Sequence, residues 1–407
     1  YKLSLRISIY KMKKKVFFLT DSSVNLRSVY QALKNHYDIT WVYYHKKIKS
    51  ELYDLGCSEK DIIFLGNNSI FFLIKLIINK IFGKLLNLKI NFENDILNQI
   101  NLIDKKFSPN LWITDTGSLL SKCKVKCPKA TFKHSVTYKK YFLGENIFQY
   151  DYVFIPGEYH YNRILNRYPK KITELKKKLL ISPSPRIYPF LNLKKDSFEL
   201  KDFYKKLNLD KKNKTIVLAP THDAFFDKRF LPKNFGDESV ALKKICKTIT
   251  EDFEYNFIIK PHHYHHDKLK NKTFNFLSSL KNVHIFKTNK NYDSIDSEKI
   301  FFLADLVITD TSGVGPACCF LNKKMIYLNP DDHFDWGQSD IDKNLRPGLI
   351  LDNINKLENI LLSYENNSQL YEKERLSFKD KIFKYQSFND LRIIKSQVEE
   401  ILDNDKS

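Results

Sequence analysis

Short apolar runs that end in polar or glycine residues recur along the chain, separated by longer stretches with helical periodicity. Runs of this kind, bounded by turn residues, are typical of buried parallel strands. In the first half they cover residues 16–20, 39–44, 61–65, 111–114, 130–133 and 152–155. In the second half they cover residues 215–220, 256–260, 283–286, 306–308, 325–328 and 349–352. Helices are expected between them, among others at 26–36, 92–105, 238–252 and 314–321. Alternating strands and helices predict an α/β protein with parallel, doubly wound sheets.

The pattern is interrupted once, by a proline-rich segment at residues 182–189, and then restarts. A chain of 407 residues is too long for one compact core. We therefore predict two Rossmann-like domains facing each other across a cleft. The predicted boundaries are 1–12 for an amino-terminal extension, 13–185 and 186–375 for the two domains, and 376–407 for carboxyl-terminal helices.

The most informative unit is the strand–turn–helix at residues 306–321. Its turn contains Asp310, Thr311, Ser312 and Gly313. The carboxyl ends of parallel strands are where α/β proteins bind ligands, and the first N–H groups of a helix suit a phosphate. The alternative is that these side chains only cap the helix.

The charge balance points to an anionic partner. Lys and Arg number 68 against 47 Asp and Glu, a net charge of +21. Nucleic acid, a phosphate-rich substrate or polymer, or an anionic membrane would each fit, although a lysine-rich composition accounts for part of the excess. The basic residues are scattered and no nucleic-acid-binding motif is present, so we expect no nucleic acid partner. A non-catalytic polyanion-binding protein remains an alternative.

Residues 69–86 form the longest apolar segment, interrupted by Lys75, Lys80 and Lys84. The charges argue against a membrane span, and the pattern fits either a basic amphipathic helix on an anionic membrane surface or a helix packed on a sheet. No signal-peptide pattern is evident, and the six cysteines have no zinc-finger spacing. We expect a cytoplasmic protein, peripheral on the cytoplasmic face of the inner membrane.

Histidines stand at strand ends in both predicted domains. His134 ends the 130–133 run, Thr221 follows Pro220, and Lys260 precedes a cluster that contains His262 and His263. Histidines and lysines at carboxyl ends of strands provide positive charge and proton transfer near neutral pH. No nearby carboxylate set completes a coordination shell, so we predict no metal site.

The motifs at 133–139, 219–221, 260–262 and 309–313 together resemble the CDP-glycerol glycerophosphotransferases, GT-B enzymes of teichoic-acid and capsule polymer biosynthesis. The resemblance covers residues 130–355. Ser135 stands where the family has glycine, and Gly313 where it has a second serine. The resemblance implies a GT-B fold, in which a cytidine nucleotide is bound mainly by the second domain.

It also implies a transferase that moves a polyol phosphate from a CDP-activated donor to a hydroxyl of a lipid-linked or growing cell-surface polymer. Glycerol phosphate is the polyol phosphate that the resemblance favours. His134 would be the general base, and His262, or its neighbour His263, would act on the leaving nucleotide. No cofactor would be obligatory. Another GT-B transferase that uses a nucleotide sugar for capsule or lipopolysaccharide is the alternative. The residues implied to bind the donor and its phosphates are Thr221, Lys260, His263, Asp310, Thr311, Ser312 and Gly313, with Arg229 and Arg346 able to neutralise charge.

Overall fold

The computed structural model describes residues 13–20, 23–46, 48–65, 92–115, 119–133, 144–191, 193, 198–220, 238–261, 271–286, 296–310, 312–328 and 347–404. Predictions on residues 1–12, on 69–86 and on the turns that contain His134, Thr221, His262, His263 and Thr311 lie outside these ranges. So do those on Arg229 and Arg346.

Two parallel sheets organise the described chain, as the alternating pattern predicts. The first has the order β3-β2-β1-β4-β5-β6-β7 and the second β10-β9-β8-β11-β12-β13. Every pair of neighbouring strands is parallel. The strands of the first sheet are β1 Lys15–Thr20, β2 Asp38–Tyr43, β3 Ile62–Phe64, β4 Leu111–Thr114, β5 Lys129–Phe132, β6 Tyr152–Ile155 and β7 Leu179–Ile181. Those of the second are β8 Thr215–Leu218, β9 Asn256–Ile259, β10 Val283–Ile285, β11 Leu306–Thr309, β12 Lys324–Leu328 and β13 Leu349–Leu351.

Helices connect the strands. In the first half they are α1 Ser23–Leu33, α2 Ile48–Asp54, α3 Phe92–Phe107, α4 Leu119–Lys122, α5 Glu158–Arg167, α6 Ile172–Lys178 and α7 Tyr188–Leu191. The second half adds α8 Phe198–Lys206, α9 Glu238–Lys247, α10 Asn271–Ser279, α11 Asp296–Leu303, α12 Val314–Phe320, α13 Leu357–Asn366, α14 Glu372–Ile382 and α15 Leu391–Asn404. Short 3₁₀ turns occupy Glu59–Asp61, Glu145–Gln149, Pro169–Lys171, Ile354–Lys356 and Phe388–Asp390, and a π turn extends α9 over Thr248–Asp252.

The strands are mostly apolar, as expected for parallel sheets whose two faces are both covered. In β1, Val16 and Phe18 belong to one buried cluster, whereas Phe17 and Leu19 belong to a cluster on the opposite face. The first of these clusters also includes Val217 of the second sheet. One buried apolar cluster therefore includes residues of both sheets.

The last two helices connect the halves of the molecule. Helix α15 packs on α1, and α14, which contains the predicted boundary at residue 375, contacts both α12 and α5. The contact with α5 is tight, because a Cβ placed on Gly157 would lie 2.3 Å from the carbonyl oxygen of Ile382. The contact with α12 involves Arg375, 2% exposed, whose Nε donates to Asn322 Oδ1 at 3.0 Å.

Several local predictions differ from the structure. The third strand is Ile62–Phe64, shorter than the predicted 61–65, and α1 is displaced toward the amino terminus because the chain turns after Leu33. Strand β7 was not predicted, and neither were helices α2, α4 to α8, α10 and α11. Strand β7 is short and directly follows three lysines that conceal its apolar pattern. Within the described ranges, no helix combines the length and apolar content needed to cross a bilayer.

Candidate active site

The turn after β11 lies at the centre of the second sheet. Thr309 and Asp310 are buried, at 0% and 1% exposure. Asp310 Oδ1 accepts a hydrogen bond from the Ser312 N–H at 3.0 Å, and Ser312 Oγ accepts one from the Val314 N–H at 3.3 Å. Both side chains thus shape the turn before α12, whose N-cap residue is Gly313 and has no side-chain capping hydrogen bond. Phosphate binding by Asp310, Ser312 and Gly313 stays a prediction.

The ends of β8 and β11 are joined directly. Thr309 Oγ1 donates to the Ala219 carbonyl at 2.7 Å, and the Ala219 N–H donates to the Ile308 carbonyl at 2.9 Å. Ala219 and Pro220 are both buried. The chain therefore leaves β8 beside Asp310, and Thr221 is the next residue along it.

Lys260 stands at the end of β9, the other neighbour of β8. Its N–H donates to the Leu218 carbonyl at 2.8 Å, and its Nζ lies 5.8 Å from the centre of the Phe301 ring. The side chain is half-buried. Desolvation lowers the pKa of Lys260 to about 8, with a smaller lowering from the Arg186 charge and an opposing contribution from Glu298. An amine with this pKa can gain or lose a proton near neutral pH.

These three strand ends form one edge, since β9, β8 and β11 are consecutive in the sheet. Neighbouring strands are about 4.8 Å apart, so the ends of all three lie within about 10 Å. The fold thus brings Lys260, the β8 exit and the Asp310 turn together, as predicted from the separate motifs. In the sequence, His262 and His263 follow Lys260 by two and three residues.

The first sheet presents a comparable lysine. Lys133 directly follows β5, and its N–H donates to the Phe154 carbonyl of β6 at 3.1 Å. Desolvation lowers its pKa to about 8. In the sequence, His134 is the next residue after Lys133. At the end of β4, buried Asp115 accepts hydrogen bonds from Thr20 and from Asn25 at 2.7 Å, which holds the β1 and β4 exits together.

Three charged residues did not stand out in the sequence: Lys133 at the end of β5, and Arg186 and Glu298, whose charges act on Lys260 of the second sheet. Lys133 stands out in the sequence only as part of a motif, and Arg186 only as part of a linker. The segment around Arg186 is buried at Ser182, Ser184 and Ile187, so it is packed structure rather than a loose connection. Glu298 is 4% exposed. The sequence feature that could have identified these residues is a charged residue inside an otherwise apolar or proline-rich run.

The described residues contain no group of three His, Cys, Asp or Glu side chains arranged to hold a metal ion. All six cysteines are free thiols, and five of them are buried.

Comparison with known proteins agrees with this geometry. Residues 129–399 match the CDP-Glycerol:Poly(glycerophosphate) glycerophosphotransferase family. The structure resembles the wall teichoic acid polymerase TagF with a TM-score of 0.59 at 15% identity, covering 96% of this chain and 90% of that one. It also resembles the UDP-GlcNAc 2-epimerase of Methanocaldococcus jannaschii in complex with UDP-GlcNAc and UDP, with a TM-score of 0.62 at 16% identity, covering 95% and 99%. No curated protein matches the sequence.

The structural likenesses confirm the predicted GT-B fold of two parallel-sheet domains. The family match spans two thirds of the chain, and it includes all four motifs on which the resemblance was based. The chain therefore belongs to the CDP-glycerol:poly(glycerophosphate) glycerophosphotransferase family, GT-B transferases that move glycerol phosphate from a CDP-activated donor to a polymer acceptor.

Proposed function

We propose that transfer occurs where the carboxyl-terminal edges of the two sheets meet, with His134 as general base. His134 takes the proton of the acceptor hydroxyl, whose oxygen attacks the phosphorus that carries glycerol. The new P–O bond extends the polymer by one glycerol phosphate, and the P–O bond to CMP breaks. His262, or His263 beside it, protonates or holds the departing CMP. Lys133 lies at the carboxyl end of β5, and His134 directly follows it in the sequence. This proximity to the carboxyl-terminal edge of the first sheet supports the proposed role of His134.

We assign the donor diphosphate to the edge of the second sheet. Lys260 supports this assignment most strongly, because it is a desolvated amine at that edge, beside the exit of β8. A bound phosphate would favour the charged form and recover the free energy that burial costs. Thr221, Thr311, Ser312 and the N–H groups of the 310–313 turn would supply neutral donors. Stabilising phosphate charge during transfer is the main task in such reactions.

The proposal requires no obligatory cofactor, since Lys133, Lys260 and Arg186 can neutralise negative charge. Many phosphoryl-transfer enzymes use Mg²⁺ for this purpose. Turnover should therefore persist in excess EDTA. Complete loss in EDTA, with recovery on adding Mg²⁺, would contradict this part of the proposal.

We further propose peripheral association with the inner face of an anionic membrane through residues 69–86. The support is the sequence pattern, in which Lys75, Lys80 and Lys84 punctuate an apolar helix-like segment. Changing these three lysines to Glu should abolish co-sedimentation with anionic vesicles while leaving transfer to a lipid-free acceptor intact. Unchanged sedimentation would favour the packed-helix alternative. Whether the acceptor is a teichoic acid or a capsule polymer is decided by testing both as acceptors.

Variants of the two histidines test the proposed mechanism. CMP release from CDP-glycerol is followed in the presence of a poly(glycerol phosphate) acceptor, and donor binding is measured separately by thermal shift. His134→Ala should lower kcat by at least about 100-fold and leave the donor-induced shift intact. His262→Ala should weaken the shift itself. If His134→Ala retained wild-type turnover, the base would be elsewhere.

The nucleotide-sugar alternative has its own test. If UDP-GlcNAc, rather than CDP-glycerol, raised the melting temperature and were consumed, the donor would be a nucleotide sugar. The fold would be unaffected by that result, since both ligand classes are bound by GT-B proteins.

A further inference from the structure

One face of the first domain carries a concentrated set of exposed lysines. Helix α3, the connection at residues 123–128 and helix α6 cover the same side of the first sheet, because Ile100, Cys123 and Leu175 belong to one buried cluster. Their outward sides expose six lysines. We call these residues the lysine surface: Lys105, Lys106, Lys124, Lys126, Lys176 and Lys177.

Hydrogen bonds hold the connection against α3. The Lys124 N–H donates to Asn101 Oδ1 at 3.2 Å, and the Lys126 N–H donates to Asp104 Oδ2 at 3.1 Å. Asn101 and Asp104 occupy the last turns of α3, where Lys105 and Lys106 also lie. The backbone at Lys124 and Lys126 is thus held against the end of α3 that carries Lys105 and Lys106.

The third pair, Lys176 and Lys177, extends this group across the sheet. Helix α3 leads into β4 and α6 leads into β7, with β5 and β6 between them. Three strand spacings separate β4 from β7, about 14 Å. A ligand that contacts the whole surface must therefore be extended, since one phosphate group cannot bridge that distance.

The carboxylates nearby have other partners. Asp104 is 5% exposed and accepts the Lys126 N–H, one of the hydrogen bonds that hold the connection. Asp151 accepts a backbone N–H at 2.8 Å, and Glu174 pairs with Lys178 at 3.2 Å and Lys171 at 3.4 Å. No ion pair joins the lysine surface to a carboxylate elsewhere in the described ranges. Its positive charge is therefore available to a ligand.

Helix electrostatics explain only part of this arrangement. Lysines in the last turn of a helix interact favourably with its negative end, which accounts for Lys105 and Lys106 in α3 and for Lys176 and Lys177 in α6. Lys124 and Lys126, in contrast, lie outside any helix, on the connection between α4 and β5.

We propose that the lysine surface binds the phosphodiester backbone of the acceptor polymer, away from its reacting end. The proposal rests on the function above, because the acceptor is itself a chain of phosphates. The surface lies at the amino-terminal ends of the strands, opposite the candidate active site. A polymer held there would remain attached to the enzyme between additions, which raises the effective concentration of its growing end.

A bilayer fits this surface less well. The outward side of α3 exposes Asn94, Asn98 and both lysines, with Leu102 as its large apolar residue. On α6 only Ile172, 37% exposed, has that character. Helices that insert into the membrane interface present a continuous apolar face, which neither helix has.

A charge-matched pair of variants tests the proposal. In the surface variant Lys105, Lys106, Lys124 and Lys126 are changed to Gln. In the control variant the exposed lysines Lys201, Lys205, Lys211 and Lys212 of the second half are changed to Gln. Binding of lipid-free poly(glycerol phosphate) is measured across a salt series, and CMP release is measured with long chains and with the shortest acceptor accepted.

In single-stranded nucleic acids each lysine–phosphate pair contributes about 0.7 to the magnitude of the slope of log affinity against log salt. With the same value for this polymer, removing four lysines should lower that magnitude by about 3 relative to the control. Its KM should rise for long chains only, with kcat on the shortest acceptor unchanged. Equal slopes in the two variants would overturn the proposal. So would a surface variant that loses binding to anionic vesicles but keeps binding to the polymer, since the surface would then be a lipid site. If wild type bound the polymer but released no CMP from CDP-glycerol, the function would fail and the surface would stand.

Discussion

Lys260 of the candidate site should lower the free energy of unfolding of the protein. Burial lowers the pKa of Lys260 from the ordinary 10.5 to about 8. At 1.36 kcal/mol for each pH unit, this difference disfavours the charged side chain in the folded state by about 3 kcal/mol. Lys260→Met keeps the aliphatic stem, places sulfur near Phe301 and removes the charge. At pH 7 the variant should be more stable than wild type by up to about 3 kcal/mol.

The sign of the pH dependence gives a sharper test. Between about pH 8 and pH 10.5 the unfolded chain binds a proton at residue 260 that the folded chain does not, so wild-type stability gains from rising pH across this window. Lys260→Met lacks this contribution. Its advantage over wild type should therefore be largest at pH 7 and nearly absent above pH 10.

Urea unfolding at pH 7 and pH 10 measures this difference, with exposed Lys211→Met as the matched control. The same proteins are assayed for CMP release, where Lys260→Met should raise the KM for CDP-glycerol and lower kcat. A variant less stable than wild type at pH 7 would refute the reasoning, as would an advantage equal at both pH values. Either result would mean that Lys260 is stabilised by its surroundings rather than held for a ligand.

Two further substitutions test the connection made by α14. Gly157→Ala should lower the free energy of unfolding by about 3 kcal/mol, because the added Cβ would lie 2.3 Å from the Ile382 carbonyl oxygen and the backbone would have to move. Gly56→Ala is the control: Gly56 has a φ of +84° but lies in open space, so this change should cost only about 1 kcal/mol. Arg375→Met should cost about 3 kcal/mol in urea unfolding, since it leaves Asn322 Oδ1 without its buried donor. A loss under 1 kcal/mol in either Gly157→Ala or Arg375→Met would show that this connection is loose.

Sequence patterns predicted the architecture because strand ends carry a strong local signal. A buried parallel strand is apolar on both faces, and polar or glycine residues must follow it. The 306–328 unit shows this clearly, since its strand, turn, helix and second strand all lie where the pattern places them. Motifs at the ends of β8, β9 and β11 were expected at one edge, and the sheet order brings them there.

Other features depend on packing, which a single sequence does not display. Asp310 and Ser312 could be caps or ligands, and only the hydrogen bonds show that both shape the turn. In the sequence, Lys133 and Lys260 look like the many surface lysines, and only the structure shows the burial that lowers their pKa. Arg186 seemed to belong to a linker because prolines surround it, yet the residues on either side of it are buried.

The most direct test of the whole account is the product of one turnover. Purified protein is incubated with CDP-glycerol and a defined poly(glycerol phosphate) acceptor, and both CMP and acceptor mass are followed. We predict one CMP released for each glycerol phosphate unit added, with no addition when UDP-GlcNAc replaces the donor. CMP release without any gain in acceptor mass, or a gain only from UDP-GlcNAc, would contradict the account.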